Sequence, residues 1–216
     1  MQPPRLHSAH PWRFHHGPLC RVSQGLGVLV VALSLLSAVA RGQMKLEDYE
    51  VGNYEIGGDF TLINHNGEKT RLSEFKGKVV LMSFGYTSCP DVCPATLAKF
   101  VQVKKALGAK GGKLQALFVT VDPDRDTPQR LKRYMEHFDP TFVGLTGSRE
   151  QIDKVAAQYV ATYRPGKGNT AVKPLLDHTS FSYLIDQRGK LRYLFTHDFK
   201  REPMIEGVIR LLAAQS

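Results

Sequence analysis

Two nearly continuous apolar runs, residues 78–86 and 114–121, constrain the fold of this chain more than any other feature. Runs of this length without polar alternation are typical of strands that are covered on both faces of a sheet. A segment with helical spacing follows each run, and this strand–helix order is typical of parallel strands within one sheet. The sequence therefore predicts an α/β fold with a central mixed β-sheet flanked by helices.

The remaining segments complete this architecture. Residues 59–75 are predicted to form a hairpin around the two-residue turn Asn66-Gly67, and residues 181–195 a second hairpin. Thr127 and Ser148 stand where N-caps are expected, with Pro128 in the first turn after Thr127. Helices are predicted over residues 94–107, 127–138, 148–163 and 203–214, a short strand over 142–145 and a loop over 164–174.

The amino terminus predicts attachment to a membrane. Residues 1–24 are polar and basic without an acidic side chain, and residues 25–40 carry no charge. Counted from Val22, the uncharged segment would form a helix of about 28 Å, close to the thickness of a bilayer core. We predict a basic leader on the cytoplasmic side (1–24), a transmembrane anchor helix (25–40), a linker (41–52) and a folded domain (53–216).

Two other interpretations of this terminus stay open. Residues 38–40 match the small-x-small pattern at which signal peptides are cleaved, and an Arg-bearing leader without acids is also typical of organellar import. All three interpretations place the domain on the side opposite the basic flank. The predicted location is the periplasmic side of the inner (cytoplasmic) membrane. Its equivalent is the intermembrane-space side of the mitochondrial inner membrane.

Composition and charge exclude several classes of function. The chain carries 29 basic and 20 acidic residues, and the excess of positive charge is scattered, which argues against nucleic acid as a partner. Three Cys are too few for a disulfide-rich secreted scaffold. A single apolar span argues against a channel or transporter, and the domain shows neither a dinucleotide fingerprint nor a P-loop.

Cys89 and Cys93 lie between the end of a buried strand and the start of a helix. Ligands of α/β sheets gather beyond the carboxyl ends of strands, and a helix amino terminus lowers the pKa of a thiol. With Pro94 as the first helical residue, Cys93 would be the N-cap. The pair can form a structural disulfide, exchange a disulfide with a substrate or bind a soft metal ion, and its position favours the last two.

The number of available ligands narrows the choice of metal. A structural zinc site normally needs four ligands, whereas Cu(I) accepts two thiolates and one imidazole. His178, immediately before a buried strand, is the candidate third ligand, and the neighbouring Asp177 either orients its ring or lies on the surface. His65 and His137 are expected to be solvated, and His197 follows a strand end. Taken alone, each of these histidines is more often a surface or core residue than a ligand.

Four segments resemble the SCO/SenC family of copper chaperones: GYTSCPDVCP (85–94), VDPDRDTP (121–128), VGLTGS (143–148) and DHTSFSYLID (177–186). The resemblance implies a thioredoxin-like fold with an amino-terminal membrane anchor. It also implies that Cys89, Cys93 and His178 are the ligands of copper, as Cu(I) or Cu(II), and that the cysteine pair is redox-active. The function that it implies is delivery of copper to the binuclear copper centre of cytochrome c oxidase during assembly.

The chain departs from thioredoxin itself in two ways. Three residues rather than two separate the cysteines, and residues 175–182 lack the cis-proline that faces the pair in thioredoxins. His178 stands about where that loop would bring a side chain over the sulfurs, which favours metal capture over disulfide catalysis. Asp122, Asp124 and Asp126 are interpreted as turn formers and a helix-capping group.

The leading hypothesis is a membrane-anchored copper metallochaperone rather than an enzyme. Its predicted partners are the copper-centre subunit of cytochrome c oxidase, a thiol reductant protein that keeps the sulfurs reduced, and the membrane through residues 25–40. The alternative is a thiol–disulfide oxidoreductase that reduces the cysteines of the acceptor protein. A peroxidase-like enzyme on the same fold has no support beyond fold analogy.

Overall fold

The computed structural model of the chain describes residues 44–52, 54–165, 176–178 and 180–214, and only the backbone of residues 165 and 176–178. Within these ranges, no helix is both long enough and apolar enough to cross a bilayer. The leader (1–24) and the segment 25–40 lie outside the described residues, so the anchor stays a prediction.

The described residues contain nine strands, namely Thr61–Asn64 (β1), Lys69–Arg71 (β2), Val79–Gly85 (β3), Leu114–Thr120 (β4), Val143–Thr146 (β5), Tyr163–Pro165 (β6), Leu176–His178 (β7), Ser182–Ile185 (β8) and Leu191–Phe195 (β9). Seven of them form one mixed sheet in the order β2-β1-β5-β4-β3-β8-β9. β3, β4 and β5 are parallel, and β8 is antiparallel to β3. β6 and β7 form a separate two-stranded antiparallel sheet.

Four α-helices accompany the strands in this part of the chain, namely Val92–Ala106 (α1), Pro128–Glu136 (α2), Arg149–Gln158 (α3) and Arg201–Ala213 (α4). α1 packs against α4, and α2 packs against β5. Thr127 and Ser148 cap α2 and α3, because each side chain accepts a hydrogen bond from the N–H three residues further on. Every residue of β3 and β4 is buried, which confirms the prediction from the two apolar runs.

The first hairpin is confirmed, but its turn is longer than predicted. Four residues, 65–68, lie between the strands, and the N–H of Asn64 donates to the carbonyl of Glu68 at 2.8 Å, which leaves a loop of three residues. Gly67 has a φ of +87°, the left-handed conformation that closes three-residue hairpin loops.

The third helix ends earlier than the apolar pattern predicts. α3 stops at Gln158, and the N–H of Ala161 donates to the carbonyl of Ala156 at 2.8 Å, a bond that closes the helix end. Val160 lies between them with a φ of +54°. The chain then enters β6, so the loop predicted over residues 164–174 is wrong for residues 164–165. Its remaining residues lie outside the described part of the chain.

Most of the segment predicted as a linker, residues 41–52, packs on the domain. Leu46, Tyr49 and Val51 are buried, and the N–H of Val51 donates to the carbonyl of Arg192 at 2.9 Å. The compact unit therefore begins at Met44 rather than at residue 53. The predicted boundary lies too far along the chain, because three separated apolar side chains show no clear period in so short a segment.

The parallel strands β3, β4 and β5 end at one edge of the sheet. β8 begins at the same edge, because Ser182 pairs with Ser83 near the end of β3. The loops 86–91 and 121–127 and the start of α1 therefore meet there. Ligand sites of α/β sheets lie at such an edge. Because this one carries Cys89 and Cys93, we call it the cysteine edge.

Candidate metal centre

Cys89 lies in the loop that follows β3, and Cys93 lies in the first turn of α1. The helix begins at Val92 with Asp91 as its N-cap, so the prediction that Cys93 is the N-cap is wrong. Pro94 is consequently the third helical residue. The helix tolerates it there because the first N–H groups of a helix have no intrahelical acceptor.

The two thiols hydrogen-bond to each other and are shielded from solvent. Cys93 is 3% exposed and Cys89 is 9% exposed, and no disulfide joins them. The hydrogen bond with Cys89 raises the pKa of the Cys93 thiol, and burial raises it further, against a backbone hydrogen bond of Tyr86 that lowers it. The prediction that the helix terminus lowers this pKa is therefore wrong for Cys93, because the neighbouring sulfur and burial outweigh it.

Gly85, the last residue of β3, leaves the space that the Cys93 sulfur occupies. A Cβ atom at this position would lie 2.6 Å from Cys93 Sγ and 2.7 Å from the ring of Phe118. Only glycine therefore lets the sulfur approach the strand this closely. The sequence motifs did not single out this residue, although a glycine at the end of a buried strand, just before the cysteine loop, is a signal for such a close approach.

The carboxylate of Asp126 anchors the cysteine loop (residues 86–91) by hydrogen bonds. This carboxylate is completely buried and accepts hydrogen bonds from the Thr87 N–H at 2.9 Å, the Thr87 hydroxyl at 2.5 Å and the Thr120 hydroxyl at 2.7 Å. The prediction of a helix-capping group among Asp122, Asp124 and Asp126 is wrong for α2, since Thr127 caps that helix. Asp126 instead joins Thr120, at the end of β4, to Thr87 of the cysteine loop.

Arg130 supports the same loop from α2. Its Nε donates to the Thr87 hydroxyl at 2.7 Å, and a terminal nitrogen donates to the Ser88 hydroxyl at 2.7 Å. The Nε also lies 3.7 Å from the Asp126 carboxylate, which compensates part of the buried negative charge. The residue directly before Cys89 is thus bonded by its side chain to a helix.

The other two aspartates of this region form ion pairs. Asp122 contacts Arg125, and its carbonyl accepts the N–H of Arg125 at 3.1 Å, which confirms Asp122 as a turn former. Asp124 is 75% exposed and pairs with Arg149 at 2.8 Å. Neither carboxylate lies within a group of three metal-ligating side chains in the described part of the chain.

His178 is the last residue of β7, and its backbone pairs with Tyr163 of β6. Its side chain lies outside what the structure describes. Ser180 and Phe181 line a cavity of about 10 Å³ together with Cys93. Because consecutive Cα atoms are about 3.8 Å apart, the Cα of His178 lies within about 8 Å of that of Ser180. The strand that carries His178 therefore leads directly to the cysteine edge.

The other histidines of the domain lie elsewhere. His65 is half-buried in the first hairpin, where Nδ1 accepts the N–H of Gly144 at 3.2 Å and burial lowers the pKa of the imidazole. The prediction that it is solvated is therefore wrong. His137 and His197 are exposed, as predicted for His137.

The donor set suits a soft metal ion. The described residues bring together Cys89 and Cys93, whose thiolates are the ligands that Cu(I) prefers. Among the side chains that the structure describes, no group of three His, Cys, Asp or Glu is placed to hold a metal, and the imidazole of His178 lies outside that set. A third ligand from the neighbouring β7 would complete a low-coordinate site.

Comparison of the sequence with known proteins gives one family. The SCO1/SenC family model matches residues 49–213, most of the chain. An SCO2-like protein from Rickettsia conorii is 40% identical over 183 residues, which cover 84% of this chain and 89% of the relative.

Comparison of the fold agrees with that of the sequence. ScoI from Bradyrhizobium japonicum, solved with copper bound, is 37% identical with a TM-score of 0.66, over 73% of this chain and 99% of that chain. BsSco is described as a member of the Sco family of cytochrome c oxidase assembly proteins with a disulfide switch. It is 26% identical with a TM-score of 0.57, over 76% of this chain and 94% of that chain. The predicted thioredoxin-like arrangement of sheet and helices matches these structures.

Proposed function

Because this chain belongs to the SCO1/SenC family, we propose that it is a copper metallochaperone. Cys89, Cys93 and His178 bind the ion, and the protein delivers it to the binuclear copper centre of cytochrome c oxidase during assembly of the enzyme. The observation that carries the proposal is the hydrogen-bonded thiol pair at the sheet edge to which the His178 strand leads. Copper bound to the similar ScoI supports the choice of metal.

The thiol pair supplies two of the ligands. The thiolate, and not the thiol, binds a metal, so copper must replace the protons of both thiols, including that of Cys93. Because the pKa of Cys93 is raised, loading releases this proton to solvent at neutral pH and becomes weaker as the pH falls. Gly85 and Asp126 hold the sulfur and the loop in place before the ion arrives.

His178 supplies the third ligand as a neutral imidazole nitrogen. It lies on a different element from the sulfurs, so the site is complete only when β7 lies against the cysteine edge. A three-coordinate soft ion can accept a fourth ligand, and transfer proceeds by ligand exchange. A thiolate of the acceptor bonds to copper as one ligand of this protein leaves, with no change in oxidation state.

A thiol–disulfide exchange with the acceptor is the second candidate function. The hydrogen bond between the two sulfurs favours it, as does the disulfide switch of the similar BsSco. One thiolate attacks an acceptor disulfide and the second cysteine resolves the mixed disulfide. The acceptor gains two thiols, and Cys89 and Cys93 become a disulfide that an external thiol reductant must reduce again.

We place this activity on the periplasmic side of the inner membrane, with residues 25–40 as the anchor and the mitochondrial intermembrane space as the equivalent compartment. The charge pattern of residues 1–40 supports this orientation. A tethered domain would meet the copper-centre subunit of the oxidase in the plane of one membrane, together with the reductant that maintains its thiols.

The Cu(I) affinity of the reduced full chain, measured by competition with a chelator, tests the ligand set. Loss of a direct ligand exceeds the roughly 10–100-fold effects of supporting groups, so His178→Ala should weaken binding by at least about 100-fold. His197→Ala is the matched control, because His197 is exposed and follows a strand end. It should bind copper like the parent.

The same pair of variants separates the two functions. His178→Ala should still exchange its thiols with a small disulfide at the parental rate, because both cysteines remain. Parental copper affinity in His178→Ala would contradict the three-ligand site. Loss of thiol exchange along with copper binding would instead show that the substitution disturbed the cysteine loop.

A further inference from the structure

We propose that Arg149 and Tyr163 form a latch that fixes the β6–β7 hairpin against the cysteine edge and thereby positions His178. The inference rests on the proposed role of His178 as a copper ligand. Neither residue would touch the metal. Both act as positioning residues, through the backbone pairing of β6 with β7.

The Tyr163 side of the latch lies at the start of β6. The hydroxyl of Tyr163 donates to a carboxylate oxygen of Asp153 on α3 and lies 3.5 Å from a terminal nitrogen of Arg149. The guanidinium of Arg149 also lies over the tyrosine ring, 5.9 Å from its centre. The half-buried ring and its hydroxyl thus tie the first residue of β6 to the outer face of α3.

The Arg149 side of the latch reaches the main sheet. The guanidinium donates to the carbonyl of Val121 at 3.0 Å and to the carboxylate of Asp124 at 2.8 Å. The pair with Asp124 contributes little, since that carboxylate is 75% exposed. The bond to Val121 matters more, because the N–H of Val121 donates to the carbonyl of Gly85 at 2.8 Å. The latch therefore connects to the residue on which the Cys93 sulfur rests.

The pairing of β6 with β7 links the position of Tyr163 to that of His178. The two residues are direct partners in the antiparallel pair, followed by Arg164 with Asp177. Successive side chains of a strand point to opposite faces, so a slip by one residue would turn His178 to the other face of the hairpin. Fixing Tyr163 therefore fixes the side of the hairpin on which His178 lies.

The hairpin needs such a tie because its own pairing is short. As far as the structure describes this region, β6 and β7 have three residues each and pair with each other, outside the seven-stranded sheet. A two-stranded hairpin is at best marginally stable in water. The strands of the main sheet are held by pairing with their neighbours. For the hairpin, the side-chain bonds of Arg149 and Tyr163 take this role.

Tyr163→Phe tests the latch, since it removes the hydroxyl and keeps the ring. In the reduced full chain we expect faster amide hydrogen exchange in residues 163–164 and 176–178, and Cu(I) binding about 10-fold weaker. Thiol exchange of Cys89 and Cys93 should be unchanged. Tyr54→Phe is the matched control, because Tyr54 is 75% exposed, and it should change neither quantity.

A double-mutant cycle separates the latch from the proposed ligand set. In a His178→Ala background, Tyr163→Phe should cause no further loss of copper affinity, because the ligand that it positions is gone. Unchanged exchange in the hairpin and unchanged copper affinity in Tyr163→Phe would overturn the latch. Failure of the proposed function looks different: His178→Ala would bind copper normally, while Tyr163→Phe would still speed exchange in the hairpin.

Discussion

The cysteine loop (residues 86–91) and the β6–β7 hairpin contribute to the same edge of the sheet, but they are held there differently. The loop follows a strand of the seven-stranded sheet and is bonded to the buried carboxylate of Asp126 and to Arg130. The hairpin forms a separate two-stranded sheet, and among its described side chains that of Tyr163 bonds to Asp153 of α3.

This difference divides the proposed site into a base that carries the two sulfurs and a proposed third ligand, His178, on a separate element. The two sulfurs are arranged before metal arrives, so little ordering cost remains for them. His178, the proposed third ligand, lies instead on the separate two-stranded sheet. Changes in the base should therefore lower the stability of the whole domain, whereas changes near the hairpin should act locally.

Asp126→Asn should have the largest effect on stability. The asparagine side chain keeps one acceptor oxygen, but its NH2 group would face donors that now bond to the carboxylate. Because the site is fully buried, water cannot replace the lost acceptor. We expect the free energy of unfolding to fall by about 3 kcal/mol. Urea denaturation of the reduced chain measures it.

Asp124→Asn is the control for this change, because its carboxylate is largely exposed. We expect a loss below about 0.5 kcal/mol. Equal losses in the two variants would show that the cysteine loop does not depend on the buried carboxylate more than on the exposed one.

Gly85→Ala should have the next largest effect, because the new methyl group would lie 2.6 Å from Cys93 Sγ. We expect the free energy of unfolding to fall by about 2 kcal/mol, and copper affinity to fall with it as the sulfur is displaced. Gly112→Ala is the matched control, since nothing lies within 4 Å of its added Cβ. Similar stability of the two variants would refute the close contact.

Val160→Gly should have the smallest effect and the opposite sign. Val160 has a φ of +54° just before the hairpin, a conformation that costs an L-residue about 1–2 kcal/mol. Glycine removes this strain, so the free energy of unfolding of Val160→Gly, measured by urea denaturation, should exceed that of Val160→Ala by about 1 kcal/mol. An alanine variant as stable as the glycine variant would mean that the backbone is not strained there.

The main sheet could be predicted because burial on both faces leaves a strong pattern. The apolar runs that became β3 and β4, and the caps Thr127 and Ser148, depend only on neighbouring residues. The end of α3 could not be predicted, since Val160 occupies a position where glycine is usual. The strand β6 has three residues and includes a proline, too little for a period of two to appear.

The two cysteines of the candidate site stand out in the sequence, but the residues that support them do not. Cys89 and Cys93 stand out because a thiol pair after a buried strand has few structural explanations. Asp126 was interpreted as structural, but its partner could not be predicted, because Thr87 lies 39 residues earlier in the chain. The raised pKa of Cys93 follows from burial and from a sulfur contact, and both are tertiary facts.

X-ray absorption at the copper K-edge would show at the metal itself whether Cys89, Cys93 and His178 hold one ion. For the reduced, copper-loaded full chain, we expect two sulfur neighbours and one imidazole nitrogen, and the loss of that nitrogen in His178→Ala. The same sulfur and imidazole signals in the parent and in His178→Ala would rule out His178 as a ligand and with it the three-ligand site.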